Sequence, residues 1–321
     1  MITLSKIAKL ANVSVSTASK AFSGSSEVNF ETRELIFAIA KENKCFKKFY
    51  NAKYGKLVIA IIAPEFKSSY YTHYLSCLQG ILCDMGCELC VSTTDFSVEK
   101  ERALLEYYYK HSRVDGIIII NSKAQLPESY EIPVVLISPK EIPENVPVVG
   151  IDSSKALSDI ADHLVFRGIT SLGFIGEALT EKKFLTFKSA LAEKGIDLPE
   201  GFVCVTDKRF EAGGYEAAKE LISRTDLPRA IICAYDSMAI GAIRCLLDHG
   251  LRVPEDVAVL GSDNIPEGAY LSPPLSTVSS RIDDLCSIAA DVILKKINGE
   301  ETKGLYTVNS EFILRRSFEI D

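Results

Sequence analysis

The chain has 321 residues, 47 % of them hydrophobic, nine cysteines and a net charge of −7. That length predicts two or three folding units around substantial cores, and no apolar run approaches the ~20 residues that span a bilayer. The overall charge argues against a nucleic-acid partner, but residues 1–56 balance at +6 and the remainder at −13, the footprint of a small polyanion-binding module on an acidic body.

At the N-terminus, Lys6 and Lys9 interrupt any signal-peptide apolar region, so a cytoplasmic location is expected. Residues 3–23, TLSKIAKLANVSVSTASKAFS, predict two short helices separated by a tight turn. Ile7, Ala8, Leu10 and Ala11 form the apolar stripe of the first. Asn12 marks the turn, where a short polar side chain tolerates unusual backbone angles. Ser14 is the expected N-cap of the second helix. There Ala18, Ala21 and Phe22 share one face, and Val15, Ser16, Ser19 and Lys20 point the other way. Small, hydroxyl and basic residues on an outward helix face suit contact with base edges in a major groove. The competing reading is an ordinary helical hairpin with a solvated face. A loop at 24–29 follows, then a third helix capped by Asn29, with Ile36, Ile39 and Ala40 closing a small core on Phe22.

Segment 45–56, CFKKFYNAKYGK, is a basic linker. From residue 57 the pattern turns α/β. Strands are predicted at 57–64, 87–94, 114–120, 132–138, 146–152, 171–176, 202–206, 230–234 and 257–263. Helices are predicted at 71–85, 98–111, 154–167, 181–194, 212–223 and 237–250. Such alternation implies parallel sheets with right-handed crossovers. Two series joined near residue 151 predict two lobes with a cleft between them. Cys83, Cys87 and Cys90 cluster, with CxxC spacing at the last pair. A metal or redox site there needs a further ligand, so buried, reduced thiols are the plainer expectation, and no metal or cofactor is expected.

In open α/β sheets ligands bind beyond the carboxyl ends of the strands. That rule selects the loops after residues 64, 152, 176, 206, 235 and 263. They and the elements they lead into carry Ser69, Tyr70, Tyr71, Asp152, Lys182, Lys183, Arg209, Phe210, Tyr235, Asp236 and Asp263. Carboxylates, cations and aromatic faces together suit a polyhydroxy or heteroaromatic small molecule. An enzyme is not expected. The four histidines (73, 111, 163 and 249) have no Ser or Cys nucleophile at motif spacing, and GxSxG, P-loop and HExxH motifs are missing.

VSVSTASKAFSG (13–24) resembles the recognition-helix signature of the lactose/galactose repressor (LacI) family, and VNFETRELIFAIA (28–40) its third helix. Collinear matches at AYDSMAIGAI (234–243), GLRVPEDVAVLGSDN (250–264) and PPLSTV (273–278) are similar to the family's body, a type-I periplasmic-binding-protein fold. The resemblance implies a helix-turn-helix DNA-binding domain at 1–44, a linker at 45–56, and an effector-binding and dimerising domain at 57–321. Its first lobe would span 57–151 plus 281–298, and its second 152–280 plus 304–321. It implies a homodimeric transcriptional regulator, most simply a repressor, that binds double-stranded operator DNA through two headpieces. Lys20 is the foremost base-edge contact, then Ser16, beside Val15. Ser14 and Thr17 would hold phosphate, and Asn29, Lys53 and Tyr54 complete the DNA-binding set.

Relatives carry Tyr-x-Pro-Asn and a hinge helix in the linker, with a leucine wedged into the minor groove. Here Lys47 and Lys48 stand in place of Pro and Asn, and Tyr54 in place of the leucine. A hinge helix and a flexible basic tether both remain open readings. Effector contacts map onto Tyr70, Tyr71, Asp152 and Asp263, and Lys183 stands where most relatives place an arginine fork. The implied effector is a sugar, nucleobase or related metabolite. Control by a protein partner, or a stand-alone solute-binding role, are the alternatives.

Overall fold

The computed structural model describes residues 3–43, 45, 49, 56–111, 114–126, 132–224 and 226–320. The chain divides into two compact units, Met1–Leu57 and Val58–Asp321. Lys47, Lys48, Lys53 and Tyr54 lie outside the described residues, and with them the linker readings.

The first unit holds helices α1 (Leu4–Leu10), α2 (Val15–Phe22) and α3 (Phe30–Glu42). Each is capped by a side chain that meets an orphan N–H of its first turn. Thr3 caps α1, Ser14 accepts from the Thr17 N–H at 2.9 Å, and Asn29 accepts from the Thr32 N–H at 2.8 Å. Asn12 turns the chain between α1 and α2 with φ 53°. Ile7, Ala11, Ala21, Phe22, Ile36, Phe37 and Ala40 make the core. Phe37, which the periodicity argument passed over, stacks on Phe22 at 5.5 Å between ring centroids. Leu10 departs from the expected stripe. It ends a two-turn helix, faces outward and is 53 % exposed.

In the second unit the first lobe is a six-stranded sheet, ordered β11-β5-β4-β3-β1-β2. Its strands are β1 (Val58–Ala63), β2 (Glu88–Thr93), β3 (Gly116–Ile120), β4 (Val134–Ile137), β5 (Val148–Asp152) and β11 (Leu305–Asn309), all parallel. β1 and β3 are almost wholly apolar, as strands buried on both faces must be. Helices α4 (Ser69–Asp84), α5 (Val98–His111) and α10 (Ile282–Ile297) belong to this lobe. The second lobe is a four-stranded parallel sheet, β7-β6-β8-β9, from Val203–Thr206, Leu172–Glu177, Ala230–Cys233 and Ala258–Leu260. Around it lie α6 (Ser154–Phe166), α7 (Glu181–Ala192), α8 (Phe210–Ile222) and α9 (Asp236–Asp248). A small antiparallel pair, β10 (Thr277–Ser279) with β12 (Glu311–Ile313), completes it.

One boundary differs from the sequence reading. Segment 304–321 does not return whole to the second lobe. β11 first adds an edge strand to the first-lobe sheet, Leu305 beside Val148 through Asn309 beside Asp152, and only β12 onward joins the second lobe. The expected strand at 257–263 also stops at Leu260, and Asp263 and Asn264 turn out of extended geometry at φ 114° and 53°.

Of the clustered thiols, Cys87 is buried, but Cys83 and Cys90 are exposed, so the small-hydrophobe expectation holds for one of the three. The Cys90 sulfur meets the Tyr108 hydroxyl at 3.3 Å. Among the described residues no helix is long and apolar enough to cross a membrane.

Candidate functional site

The headpiece surface is built by the helix caps and the core beneath them. Burying Ala18, Ala21 and Phe22 turns Val15, Ser16 and Ser19 outward. Val15 is 47 % exposed. The hydroxyls of Ser14 and Thr17 lie 2.8 Å apart, so the capping serine also positions Thr17 at the start of α2. Lys20 is not idle on this face, since its ammonium pairs with Glu27 in the following loop. Asn29 is committed to capping α3.

The second candidate region lies where the carboxyl ends of both sheets in the body meet. Non-glycine residues with left-handed backbones gather at these strand ends: Phe96, Asn121 and Ser138 in the first lobe, Phe210, Asp263 and Asn264 in the second. Such conformations cost on the order of 1–3 kcal/mol each and concentrate at binding sites. Two clusters of side chains join the lobes there.

In the first cluster the Lys183 ammonium donates to Asp263 Oδ1 at 2.9 Å and to the Ala234 carbonyl at 2.9 Å. It also stands 5.9 Å from the ring centre of Tyr70, which belongs to the other lobe. Burial opposes the charge on Lys183, but Asp263 and Tyr70 outweigh it and hold the ammonium protonated. Tyr70 meets Tyr74 through their hydroxyls at 3.2 Å, and the Tyr71 hydroxyl accepts from Asn121 at 3.0 Å. Desolvation pushes all three phenols above their ordinary range.

In the second cluster Arg209 forks onto Glu65 of the first lobe, Nη1 to Oε2 and Nη2 to Oε1, both at 2.8 Å. Its Nε donates to Glu177 Oε1 at 2.9 Å. Tyr235 donates to the same Glu177 oxygen at 3.2 Å and accepts from the Phe210 N–H at 3.0 Å.

Not every expected residue joins these clusters. Asp152 is exposed and accepts from the N–H and hydroxyl of Ser154, the first residue of α6, and these bonds hold the carboxyl below its usual range. Ser69 opens α4, and its carbonyl accepts from Thr72. Asp236 is 1 % exposed and lies beneath the surface at the head of α9. It accepts from Thr277 Oγ1 at 2.7 Å and from the Ile265 N–H at 2.9 Å. Desolvation first, and then the neighbouring Asp263, raise its carboxyl to about 7.

That shift has a definite sign. Between the ordinary carboxyl value and about 7, folded Asp236 holds a proton that the unfolded chain has lost, so stability falls as pH rises through this window. Thermal melts of Asp236→Asn are expected to lose this slope between pH 4 and 7. An unchanged slope would locate the titration elsewhere.

The reasoning from strand ends missed Glu65, Glu177 and Phe96. The first two were within its reach, because Glu65 follows β1 and Glu177 ends β6. Carboxylates at such positions, 6 % exposed each, are rare unless paired.

Residues 3–44 match the bacterial regulatory proteins of the lacI family, and residues 161–318 match the periplasmic binding protein-like domain. The headpiece geometry and these two matches, in this order along one chain, decide the assignment. The chain belongs to the LacI family. It is 28 % identical to the HTH-type transcriptional repressor PurR of Salmonella typhimurium over 341 aligned positions, covering 99 % of this chain and 97 % of that protein. A GntR transcription regulator from Chromobacterium violaceum superposes with TM-score 0.73 at 25 % identity, over 82 % of this chain and 99 % of the other. The lac repressor dimer bound to operator and the anti-inducer ONPF shares the fold at TM-score 0.69 and 20 % identity, over 98 % of both chains. This regulator is therefore a DNA-binding transcriptional repressor by family, with a helix-turn-helix headpiece and a two-lobed body. Its relatives are transcription regulators, not enzymes. Within it His73 meets Asp283 at 3.2 Å, His163 meets the Phe318 carbonyl at 3.2 Å, and His249 its own helix at Cys245.

Proposed function

We propose that this regulator represses transcription by placing α2 in the major groove of a two-half-site operator, and that a small molecule between the two lobes controls it. The observation that carries the DNA reading is the exposed Val15–Ser16–Ser19 face with Lys20 at its edge, on a helix whose other face is core. Ser16 and Lys20 read bases, Val15 offers an apolar contact, and Ser14 and Thr17 approach phosphate. The body acts as a homodimer, so the two headpieces meet a near-palindrome.

The effector reading rests on charged and aromatic groups from both lobes converging at the strand ends. Lys183, Asp263, Tyr70, Tyr71, Arg209 and Tyr235 are its contacts, and the ligand is a sugar or a related polar metabolite. Control requires that this ligand bind the DNA-competent and DNA-incompetent states with different affinity.

Selection of binding sites from random duplex DNA by the full chain, with and without a metabolite panel, tests both halves. Enrichment of a symmetric sequence whose affinity one metabolite changes is the expected result. At 100 times its dissociation constant that metabolite also stabilises the chain by ~2.7 kcal/mol, visible as a raised melting temperature. No enriched sequence overturns the DNA reading. Enrichment that no metabolite alters, with no thermal shift, moves control to a protein partner.

Lys20→Ala is expected to weaken operator binding by ~1–3 kcal/mol while sparing random DNA. Glu27→Gln frees the Lys20 ammonium and is expected to strengthen binding to both. Equal loss of operator and random binding in Lys20→Ala would reassign Lys20 from base to phosphate.

A further inference from the structure

Arg209 is enclosed as a ligand would be. Glu65 takes both of its terminal nitrogens and Glu177 takes Nε, so three donors are matched by three carboxylate contacts of 2.8–2.9 Å. The guanidinium carbon lies 4.5 Å from the ring centre of Phe210 and 5.5 Å from that of Phe96. The walls come from both lobes, Glu65 and Phe96 from the first, Glu177 and Phe210 from the second. Both rings stand on left-handed backbones, φ 62° at Phe96 and 59° at Phe210, strained for aromatic residues and held so that the rings face the cation.

The occupant, by contrast, is lightly anchored. Arg209 is extended, precedes the first residue of α8, and makes no side-chain cap bond to that helix. It can withdraw without unwinding α8. Its side chain is 27 % exposed, against 7 % and 6 % for the two glutamates. When Arg209 leaves, two nearly buried carboxylates lose the guanidinium that joins them, and the Tyr235 hydroxyl and Thr180 N–H that stay on Glu177 bring no charge, an arrangement that demands another cation. A neutral sugar supplies none, and an anion adds repulsion. A compact ammonium matches the charge but not the fork onto Glu65 or the flat faces of the rings.

We infer that Glu65, Glu177, Phe96 and Phe210 form a recognition cradle for a planar cation, which Arg209 fills in this state, and that the ligand displacing it carries a guanidinium- or amidinium-like head. The assignment rests on the inter-lobe effector reading above for its regulatory meaning, but it replaces a neutral sugar with a metabolite bearing a planar cationic head and makes Arg209 the group displaced rather than a contact. Arg209 then acts as a tethered competitor that keeps the lobes joined until such a ligand arrives.

The test is a thermal melt of full-length Arg209→Ala with millimolar methylguanidinium, methylammonium, urea or sodium chloride. The variant is expected to melt several degrees below the wild type. Methylguanidinium restores the lost degrees saturably, the other three do not, and the wild type is unmoved by all four. Adding Glu65→Gln and Glu177→Gln to Arg209→Ala is expected to recover stability unaided and to abolish the methylguanidinium response. Equal restoration by methylammonium or salt, or none at all, overturns the cradle. Should Arg209→Ala not fold, refolding with methylguanidinium but not methylammonium supports the assignment, and refolding with neither overturns it. These melts read the cradle alone and operator affinity reads effector control, so either can fail without the other.

Discussion

Gly214→Ala is expected to destabilise the body by about 3 kcal/mol or more, an overpacking penalty at the upper end of what core insertions cost. A Cβ at Gly214 of α8 would stand 1.9 Å from the Met238 carbonyl oxygen of α9, and one at Gly241 of α9 would stand 1.9 Å from the Glu211 carbonyl oxygen of α8. The two helices are pressed together backbone to backbone, each glycine facing a carbonyl of the opposite helix. No side chain can swing away to relieve the clash, so the helices must separate. That movement reaches the cleft, because α8 begins at Phe210 and α9 carries Asp236 in its first turn. The melting temperature should fall by roughly 6–12 °C, at ~2–4 °C per kcal/mol for a domain of this size. Gly80→Ala is the matched control. It lies within α4 with nothing inside 4 Å of a new Cβ, and there the same substitution should stabilise by ~0.4–1 kcal/mol. Similar melting of the two variants would show that the α8–α9 contact yields more easily than backbone packing allows.

What the chain discloses in advance follows from the range of the forces involved. Local rules reached far in the headpiece. Ser14, Asn29 and Asn12 take the cap and turn roles that their side chains suggest, and Ala18, Ala21 and Phe22 face inward as their spacing requires. Buried strands were equally legible, because β1 and β3 are unbroken apolar runs. The failures have long-range causes. Leu10 is apolar and in phase but ends a helix too short to carry it onto the core. The edge strand β11 pairs with β5 across more than 150 residues, and nothing in the sequence of either announces that register.

In the cleft, position at a strand end was a good guide to place and a poor one to role. Asp236 fits the rule yet is consumed by Thr277 and the Ile265 N–H, and Asp152 by Ser154. Glu65 and Glu177 matter because Arg209 meets both, a meeting that only the folded body brings about.

Phe22→Ala is expected to abolish operator binding while leaving the body's melting transition in place. Phe22 is 1 % exposed, stacks on Phe37 at 5.5 Å and touches Phe49 at 5.8 Å. Deleting such a ring costs about 3–5 kcal/mol. A unit of some 45 residues has only roughly 2–7 kcal/mol to lose, at ~0.05–0.15 kcal/mol per residue. The headpiece core is small, so no neighbouring cluster can fill the hole, and unfolding of α2 removes Ser16 and Lys20 together. The body has separate cores of its own and should keep its melting temperature within about 1 °C, since distant sites add independently. Circular dichroism should show loss of the headpiece helices, and binding to selected operator DNA should fall by at least 100-fold, a change of about 2.7 kcal/mol. Retained operator affinity would mean that DNA folds the damaged headpiece on contact, in which case the affinity of Phe22→Ala must drop steeply with temperature while that of the wild type does not. Loss of the body transition as well would show that the two units share stability, against the separation of their cores.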